Sequence, residues 1–295
     1  MTALAAPGGV APRRARRYWR SRPEVALLAS LAFFLAIYLY PLTRLVAWSL
    51  FAPGFTLAQY AKLFGEPAYM QALRNTAEIS LGVTVLALVL GYPLAYLVTV
   101  VSARTRAVLI LLVLVPFWTS VLVRTFAWMV ILGKKGIVNQ ALLGWGLVDR
   151  PVPLIYNMVG VQIGMVHVLL PFMVFPLYSV MSRIDLNVIR VARSLGAPPH
   201  RVFLHVFLPL SLPGVAAGCL IVFLLAVGFY VTPALLGGPG QITLATMIDM
   251  MITTFLNFGF AATLGLLLLA VVAGIFAVVS ALLGLNRIVG GRADS

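Results

Sequence analysis

Charged side chains are the first candidates for chemistry in this sequence, because charge is scarce and most of the chain is apolar. Arg124 interrupts one apolar run, Glu78 lies at the start of another, and Asp249 separates two more. A charge in hydrocarbon costs about 2.5–3.5 kcal/mol on insertion scales, so Arg124 is expected to face protein or water, or to extend towards the membrane surface. Glu78 and Asp249 would attract a cationic solute; a salt bridge with Arg74 is the alternative role for Glu78.

Aromatic residues near these charges are the next candidates for a solute pathway. Trp128 follows Arg124 by four positions, so in a helix its ring could stack on the guanidinium; an interfacial anchor is the alternative. Phe229 and Tyr230 end an apolar run before a proline, and they either line a pathway or pack in the core. The candidate pathway residues are therefore Glu78, Arg124, Trp128, Phe229, Tyr230 and Asp249.

Neither catalysis nor metal binding finds support in the sequence. Cys219 is the single cysteine, and His167 stands alone in an apolar run, which favours a hydrogen-bonded histidine over a proton relay. No cluster of His, Cys and carboxylates has metal-ligand spacing, and no G-x-x-x-x-G-K-[ST] loop is present. We therefore expect no metal or cofactor in this chain, no enzyme activity, and no ATP hydrolysis by the chain itself.

A basic segment rich in turn residues, RVARSLGAPPHRVFLHVFLPLSLPG at 190–214, stands between long apolar runs. Asp185 as N-cap and Gly196 as C-terminal stop predict a short helix between them. The helical period divides this helix into an apolar face and a cationic face. The apolar face holds Val188, Val191, Ala192 and Leu195, and the cationic face holds Arg190 and Arg193.

A second helix is predicted to begin at Pro198 or Pro199, because proline suits a first helical turn, and to close at Leu208–Pro209. Its sides are cationic (Arg201, His205) and apolar (Val202, Phe203, Val206, Phe207). The two helices would form an elbow over 183–209, suited to a groove in another protein. The alternative is a basic loop that sets topology and meets anionic lipid.

The elements that must position these residues are membrane-spanning helices. The chain has 295 residues, of which 62% are hydrophobic and 9% charged. A soluble domain carries roughly 25% charged residues, so lipid must replace water over most of this surface. Long uncharged runs predict an all-α polytopic protein with six spans near 24–50, 73–101, 107–132, 157–182, 210–235 and 260–286. Short helices are also expected at IVNQALLGWG and after LGGPGQ, both on the outer side.

The net charge of +14 indicates orientation rather than nucleic-acid binding. Most of the 21 basic residues fall in the two tails, the elbow and one short loop, which places these segments and both termini in the cytoplasm. The first apolar run is longer than a signal-peptide core and is expected to be retained. The predicted organisation is a basic tail at 1–23, a transmembrane domain at 24–286 and a second tail at 287–295.

The elbow resembles the cytoplasmic loop signature of ATP-binding-cassette (ABC) importer permeases, Glu-Ala-Ala followed at set spacing by Gly, an aliphatic residue and Leu-Pro. Here Arg190-Val191-Ala192 takes the Glu-Ala-Ala place, so the Glu is missing, while Gly196, Val206 and Leu208-Pro209 keep the spacing. Six further stretches, in matching order, resemble the spermidine/putrescine-type permease family. They are LRNTAEIS, GYPLAYLV, PFWTSVLVRTFAWMVILG, IGMVHVLLPFMVFPLY, LPLSLPGVAAG and FYVTPALLGG.

The resemblance implies a type I ABC importer permease fold (MetI-like) in a bacterial inner membrane. The implied partners are a second permease chain, in a heterodimer rather than a homodimer, a cytoplasmic ATPase dimer that binds ATP and Mg, a periplasmic or extracellular substrate-binding protein, and membrane lipid. The solute would be a polyamine such as spermidine or putrescine, or a related amine-bearing compound. An autonomous secondary transporter or channel is the alternative. Docking to the ATPase would use Arg190, Val191, Ala192, Arg193, Gly196, Ala197, Arg201, Val206, Leu208 and Pro209.

Overall fold

The computed structural model describes residues 23–51 and 54–282, and within them the regular structure is helical. The long helices are α1 (Pro23–Phe51), α3 (Pro67–Val100), α7 (Met158–Met181), α10 (Leu208–Val227) and α13 (Phe258–Leu282). The shorter helices are α2 (Ala58–Gly65), α4 (Ala103–Leu114), α5 (Val121–Leu132), α6 (Ile137–Gly144), α8 (Leu186–Ser194), α9 (Pro199–Val202), α11 (Val231–Leu236) and α12 (Leu244–Thr253). The two expected short helices are confirmed as α6 and α12. Apart from Pro23, the predicted tails lie outside the described residues.

The first, second, fourth and sixth predicted spans are confirmed as single helices, but the third is wrong as a straight helix. A 3₁₀ turn at Val115–Trp118 extends α4, and this unit meets the next helical unit, Val121–Gly144, at 102°. Pro116 lacks the N–H that would continue the helix, and Thr119 is extended with φ −105° and ψ 140°. In the described residues, five helices are long and apolar enough to cross a membrane, or six if this bent pair counts as one span.

The fifth predicted span, 210–235, also has different ends. One continuous helical segment runs from Pro199 to Val227, so it starts inside the elbow and stops before Gly228. The chain then turns into α11, whose Thr232 and Pro233 are buried. In a continuous helix the Pro233 ring would clash with the carbonyl of Phe229, which explains the break.

The core lies between α3, α7 and α10, where small residues allow close approach. Met173 of α7 is fully buried between two glycines. A Cβ added to Gly91 of α3 would lie 2.9 Å from the Met173 Cγ atom, and one added to Gly218 of α10 would lie 2.7 Å from its sulfur. One turn before Gly218, a Cβ added to Gly214 would lie 3.1 Å from the carbonyl oxygen of Pro176 in α7. Because lipid supplies no hydrophobic drive between helices, such tight packing is what holds the three together.

Helix α1 lies at the edge of the bundle and packs on α13, with none of its membrane window buried inside the chain. Its polar anchor is Ser49, whose hydroxyl lies 2.6 Å from the Tyr60 hydroxyl of α2 and 3.1 Å from the Thr263 hydroxyl of α13. Ser49 and Thr263 are both completely buried. These bonds join three helices at one end of α1, while the rest of its surface is left for lipid or another chain.

The close approach at Met173 predicts that Gly218→Leu destabilises the bundle by about 1–3 kcal/mol, because the added side chain must displace packed core. Gly274→Leu on α13 is the matched control, since a Cβ there meets nothing within 4 Å. Thermal unfolding in detergent, followed by size-exclusion chromatography, measures both variants. Equal melting temperatures for the two would contradict the packing described here.

Candidate coupling surface and substrate path

The first half of the elbow is helix α8, and its predicted caps are confirmed. The Asp185 carboxylate accepts a hydrogen bond of 2.8 Å from the backbone N–H of Asn187. At the other end Gly196 has φ +84°, and the N–H of Ala197 donates to the carbonyl of Ala192 at 3.2 Å. This wrapped helix end requires a left-handed residue, which is the reason for glycine at 196.

Ile189 of α8 packs against the core, whereas three apolar side chains on another side of the helix and its C-terminal end stay exposed. Val188, Val191 and Leu195 are exposed by 45%, 57% and 83%. Together these three residues form what we call the α8 stripe. An exposed apolar stripe on a short helix is typical of a surface that another protein covers.

The arginines of α8 lie beside a cavity of about 510 Å³ between the elbow and the ends of α3 and α7. Arg190 and Arg193 both line this cavity and are exposed, and one guanidinium nitrogen of Arg190 donates to the Asn187 side chain at 3.3 Å. The predicted division of α8 into apolar and cationic sides is therefore present. Ala192, Ala197 and Val206 are half-buried, and Arg201 and His205 are exposed.

The second half of the elbow begins at Pro199 as predicted, but it does not close at Leu208–Pro209. A π-helical turn over Phe203–Phe207 carries the chain straight into α10, with the N–H of Leu208 bonded to the carbonyl of Phe203. Pro209 has no N–H to donate, and the wider turn before it accommodates this residue. The helix therefore continues where a proline was expected to end it. Leu208 is half-buried and Pro209 exposed.

Aromatic packing fixes this continuous helix to α3. The Tyr96 ring meets the rings of Phe203 and Phe207 edge-on, with centroids 6.0 and 5.1 Å away. One turn earlier on α3, the Tyr92 hydroxyl lies 2.8 Å from the Ser211 hydroxyl of α10. The second half of the elbow is thus in direct contact with α3 and continuous with α10.

Arg124 sits at the break between α4 and α5, where it lines a cavity of about 280 Å³ together with Phe229. A terminal guanidinium nitrogen donates to the carbonyl of Thr119 at 2.8 Å, which satisfies a backbone group freed by the break. Its Nε atom is buried and has no hydrogen-bond partner in the described part of the chain. Arg124 thus faces protein and a cavity, one of the two expected environments.

Trp128 does not stack on Arg124, so that expectation is wrong. Its indole N–H donates instead to Nδ1 of His167 at 3.1 Å, and the two rings meet edge-on at 5.6 Å. The bond accounts for a histidine in an apolar helix: neutral His167 accepts at Nδ1 and keeps its proton on Nε2. His167 is a hydrogen-bonded core histidine, as expected.

The remaining pathway candidates lie in other places. Glu78 forms an exposed ion pair with Arg74 at 2.6 Å, the alternative role considered for it. Asp249 is half-buried and lines a separate cavity of about 310 Å³ with Tyr156. Tyr230 is 46% exposed just before α11. The structure thus brings Arg124 and Phe229 together, whereas Asp249 belongs to a second cavity.

Sequence reasoning missed a polar clamp in the third turn of α3, at Asn75 and Thr76. The Asn75 side chain donates to the carbonyls of Gly240 and Ile242 at 2.8 and 2.9 Å. The neighbouring Thr76 hydroxyl accepts a bond of 2.9 Å from the N–H of Leu244, the first residue of α12. Buried Asn139 acts similarly, exchanging bonds of 3.0 and 2.8 Å with Val152. The signal was present in LRNTAEIS, where an amide and a hydroxyl precede an apolar run.

A bundle of apolar helices with an exposed elbow at one end is the architecture of a polytopic membrane protein. Residues 19–289 match the family model described as binding-protein-dependent transport system inner membrane component. The chain belongs to this family, and it is a multi-pass inner-membrane permease subunit rather than an enzyme. It is 38% identical over 216 residues to the spermidine/putrescine transport system permease protein PotB of Haemophilus influenzae, covering 72% of this chain and 75% of that protein.

Solved structures of ABC transporters share the fold. A bacterial ABC transporter that imports the acidic polysaccharide alginate matches with a TM-score of 0.73 at 20% identity, covering 89% of this chain and 95% of that one. The same kind of transporter in complex with an alginate pentasaccharide-bound periplasmic protein matches with a TM-score of 0.71 at 21% identity, covering 90% and 96%. The expected all-α fold of an ABC importer permease is confirmed.

The clamp at α3 predicts that Thr76→Val destabilises the protein by about 1–3 kcal/mol, because the buried N–H of Leu244 loses its acceptor. Thr84→Val is the matched control: Thr84 is also buried in α3, but its hydroxyl bonds only to the carbonyl of Ser80 in its own helix. Thermal unfolding gives the stability, and hydrogen exchange at α12 reports the local opening. Unchanged exchange at Leu244 in Thr76→Val would rule out the clamp.

Proposed function

We propose that this chain forms half of the translocation path of an ATP-driven importer and couples to a cytoplasmic ATPase through the elbow. The observation that carries the proposal is the uninterrupted helical segment from Pro199 to Val227, which joins the elbow to the core. The docking surface would consist of the exposed α8 stripe and the two neighbouring arginines, Arg190 and Arg193. The stripe supplies apolar contacts and the arginines supply positive charge. The elbow end would then face the cytoplasm, with both termini on that side.

The proposed assembly contains three further components. A second permease chain, different from this one, would complete the path; an ATPase dimer would bind ATP and Mg, for which this chain has no G-x-x-x-x-G-K-[ST] loop. A substrate-binding protein would deliver the solute on the outer side, a proposal supported by the alginate transporter in complex with its periplasmic protein.

The proposed coupling is mechanical. Closure of the ATPase dimer on ATP would pull the docked elbow, and the helix continuing through the π turn would carry this displacement into α10. Since Tyr92, Tyr96 and Ser211 tie α3 to the same helix, and Met173 of α7 is packed between α3 and α10, the three core helices would move together against the second permease chain. The free energy of ATP binding to the ATPase would thereby shift the helix bundle from an inward-open to an outward-open conformation.

The proposed solute is a polyamine or a related amine-bearing compound. Support comes from the relative described as a spermidine/putrescine permease and from the half-buried carboxylate of Asp249 beside a cavity of about 310 Å³. A carboxylate, an aromatic ring and backbone carbonyls of a glycine-containing loop are groups that bind alkylammonium ions. Arg124 fits this solute as a structural residue, since its guanidinium is bonded to the carbonyl at the helix break.

Coupling is tested by Gly196→Val, which places a β-branched residue at φ +84° and costs about 1–3 kcal/mol in the native elbow. We expect normal membrane insertion and continued ATP hydrolysis by the assembled importer, but at least tenfold slower uptake, in proteoliposomes. The matched control is Gly146→Val, because Gly146 also has positive φ (+65°) and open space around it but lies outside the elbow. Full uptake by Gly196→Val would remove the elbow from the mechanism.

The solute is tested by uptake of radiolabelled putrescine and spermidine. Asp249→Asn should raise KM about tenfold, since one charge-assisted contact to the solute is lost. Glu78→Gln is the control carboxylate, being exposed and paired with Arg74. No polyamine uptake by the unsubstituted importer would refute the proposed solute, whereas an unchanged KM in Asp249→Asn would remove Asp249 from the path.

A further inference from the structure

A groove open on one side runs between α1, α12 and α13; it shares no lining residue with the cavities at Arg124 and Asp249, although α12 borders both the groove and the Asp249 cavity. Its volume is about 440 Å³, and its walls are apolar or small side chains, including Leu45, Ile248, Ala261, Ala262 and Gly265. A Cβ added to Gly265 would only just touch Leu45, at 3.6 Å, so the glycine adds depth rather than close packing. Such walls suit an acyl chain.

One end of this groove carries hydrogen-bond donors that the described chain does not use. The Arg44 guanidinium carbon lies 5.5 Å from the centre of the Trp48 ring, and Tyr40 lies one turn below on α1. In the described residues, no protein acceptor bonds the Arg44 guanidinium, the Trp48 indole or the Tyr40 hydroxyl, and no carboxylate pairs with Arg44. Among the described residues that line the groove, Arg44 is the only charged one.

The sequence places these donors at the depth of lipid head groups. The run 25–43 before Arg44 holds no charged residue. At 1.5 Å per residue it is about 28 Å long, close to the hydrocarbon thickness of about 30 Å. Arg44 therefore stands where the apolar core of the bilayer ends and phosphate groups begin, beside a tryptophan of the kind that anchors at this interface.

We propose that this groove binds an anionic phospholipid, with its phosphate on Arg44 and Trp48 and one acyl chain along α13. A phosphate diester brings only acceptors, which matches a set of donors without partners. The apolar walls below select a molecule with a hydrocarbon tail over a soluble anion. A lipid held there would fill the gap between α1 and α13, beyond the Ser49 and Thr263 contact that joins these helices at one end.

The proposal is tested by native mass spectrometry on the full chain with its accompanying subunits, delipidated and titrated with phosphatidylglycerol or phosphatidylcholine. We expect the unsubstituted chain to bind one phosphatidylglycerol molecule tightly. Arg44→Gln should lower the affinity for this lipid about tenfold, because a charged hydrogen-bond donor is lost. The control is Arg74→Gln, which removes an exposed arginine already paired with Glu78. Equal affinity of Arg44→Gln and the unsubstituted chain, or no preference for phosphatidylglycerol, would overturn the proposal.

A second variant tests the chain-binding part without altering any charge. Gly265→Leu should fill the groove and weaken the binding of phosphatidylglycerol to a similar extent, while the binding of glycerol phosphate, which has no acyl chain, stays undetectable in both proteins. Ala262→Cys, in a Cys219→Ser background, tests for a protein occupant. Efficient cross-linking of that cysteine to another subunit would show that protein fills the groove, and it would overturn the lipid assignment.

Discussion

Hydrocarbon offers no hydrogen-bond partner, so each interruption of a helix in this bundle needs a protein group to satisfy the backbone it exposes. The Arg124 guanidinium bonds the carbonyl of Thr119 where α4 and α5 part. Asn75 bonds the loop that precedes α12, Thr76 bonds the first residue of α12, and Asn139 bonds the irregular segment at Val152. Several of the buried polar side chains thus satisfy backbone groups at breaks, while others bond within or between helices.

The same requirement explains how the elbow is joined to the core. Pro209 would expose a carbonyl in an ordinary helix, but the π turn before it shifts the pattern so that the segment from Pro199 to Val227 stays continuous. A continuous helix resists bending, so a displacement at one end reaches the other. The aromatic contacts of Tyr96 then make α3 part of the same moving unit.

The likeness to the alginate transporter shows how little of the sequence this architecture needs. At 20% identity the TM-score is 0.73, so most side chains differ while the helices keep their arrangement. What the arrangement does require is small residues where helices cross, such as Gly91 and Gly218 on either side of Met173, and apolar surfaces elsewhere. In the proposed function, solute recognition would depend on a few residues around the cavities, which can vary without disturbing the packing.

The sequence alone determined the class of fold, most of the spans and the two-helix elbow, because hydropathy, proline and glycine act locally and the caps at Asp185 and Gly196 follow from the chain itself. It did not determine the 102° break in the third span, since Pro116 permits either a kink or a stop and the choice depends on what Arg124 can bond. Nor could it place Trp128 on His167 rather than on Arg124, because that choice depends on how α5 packs against α7. Contacts between helices that are distant in sequence were decided only by the tertiary structure. The local sequence pattern allows a side chain several contact partners, and the packing of the helices brings only one of them within reach.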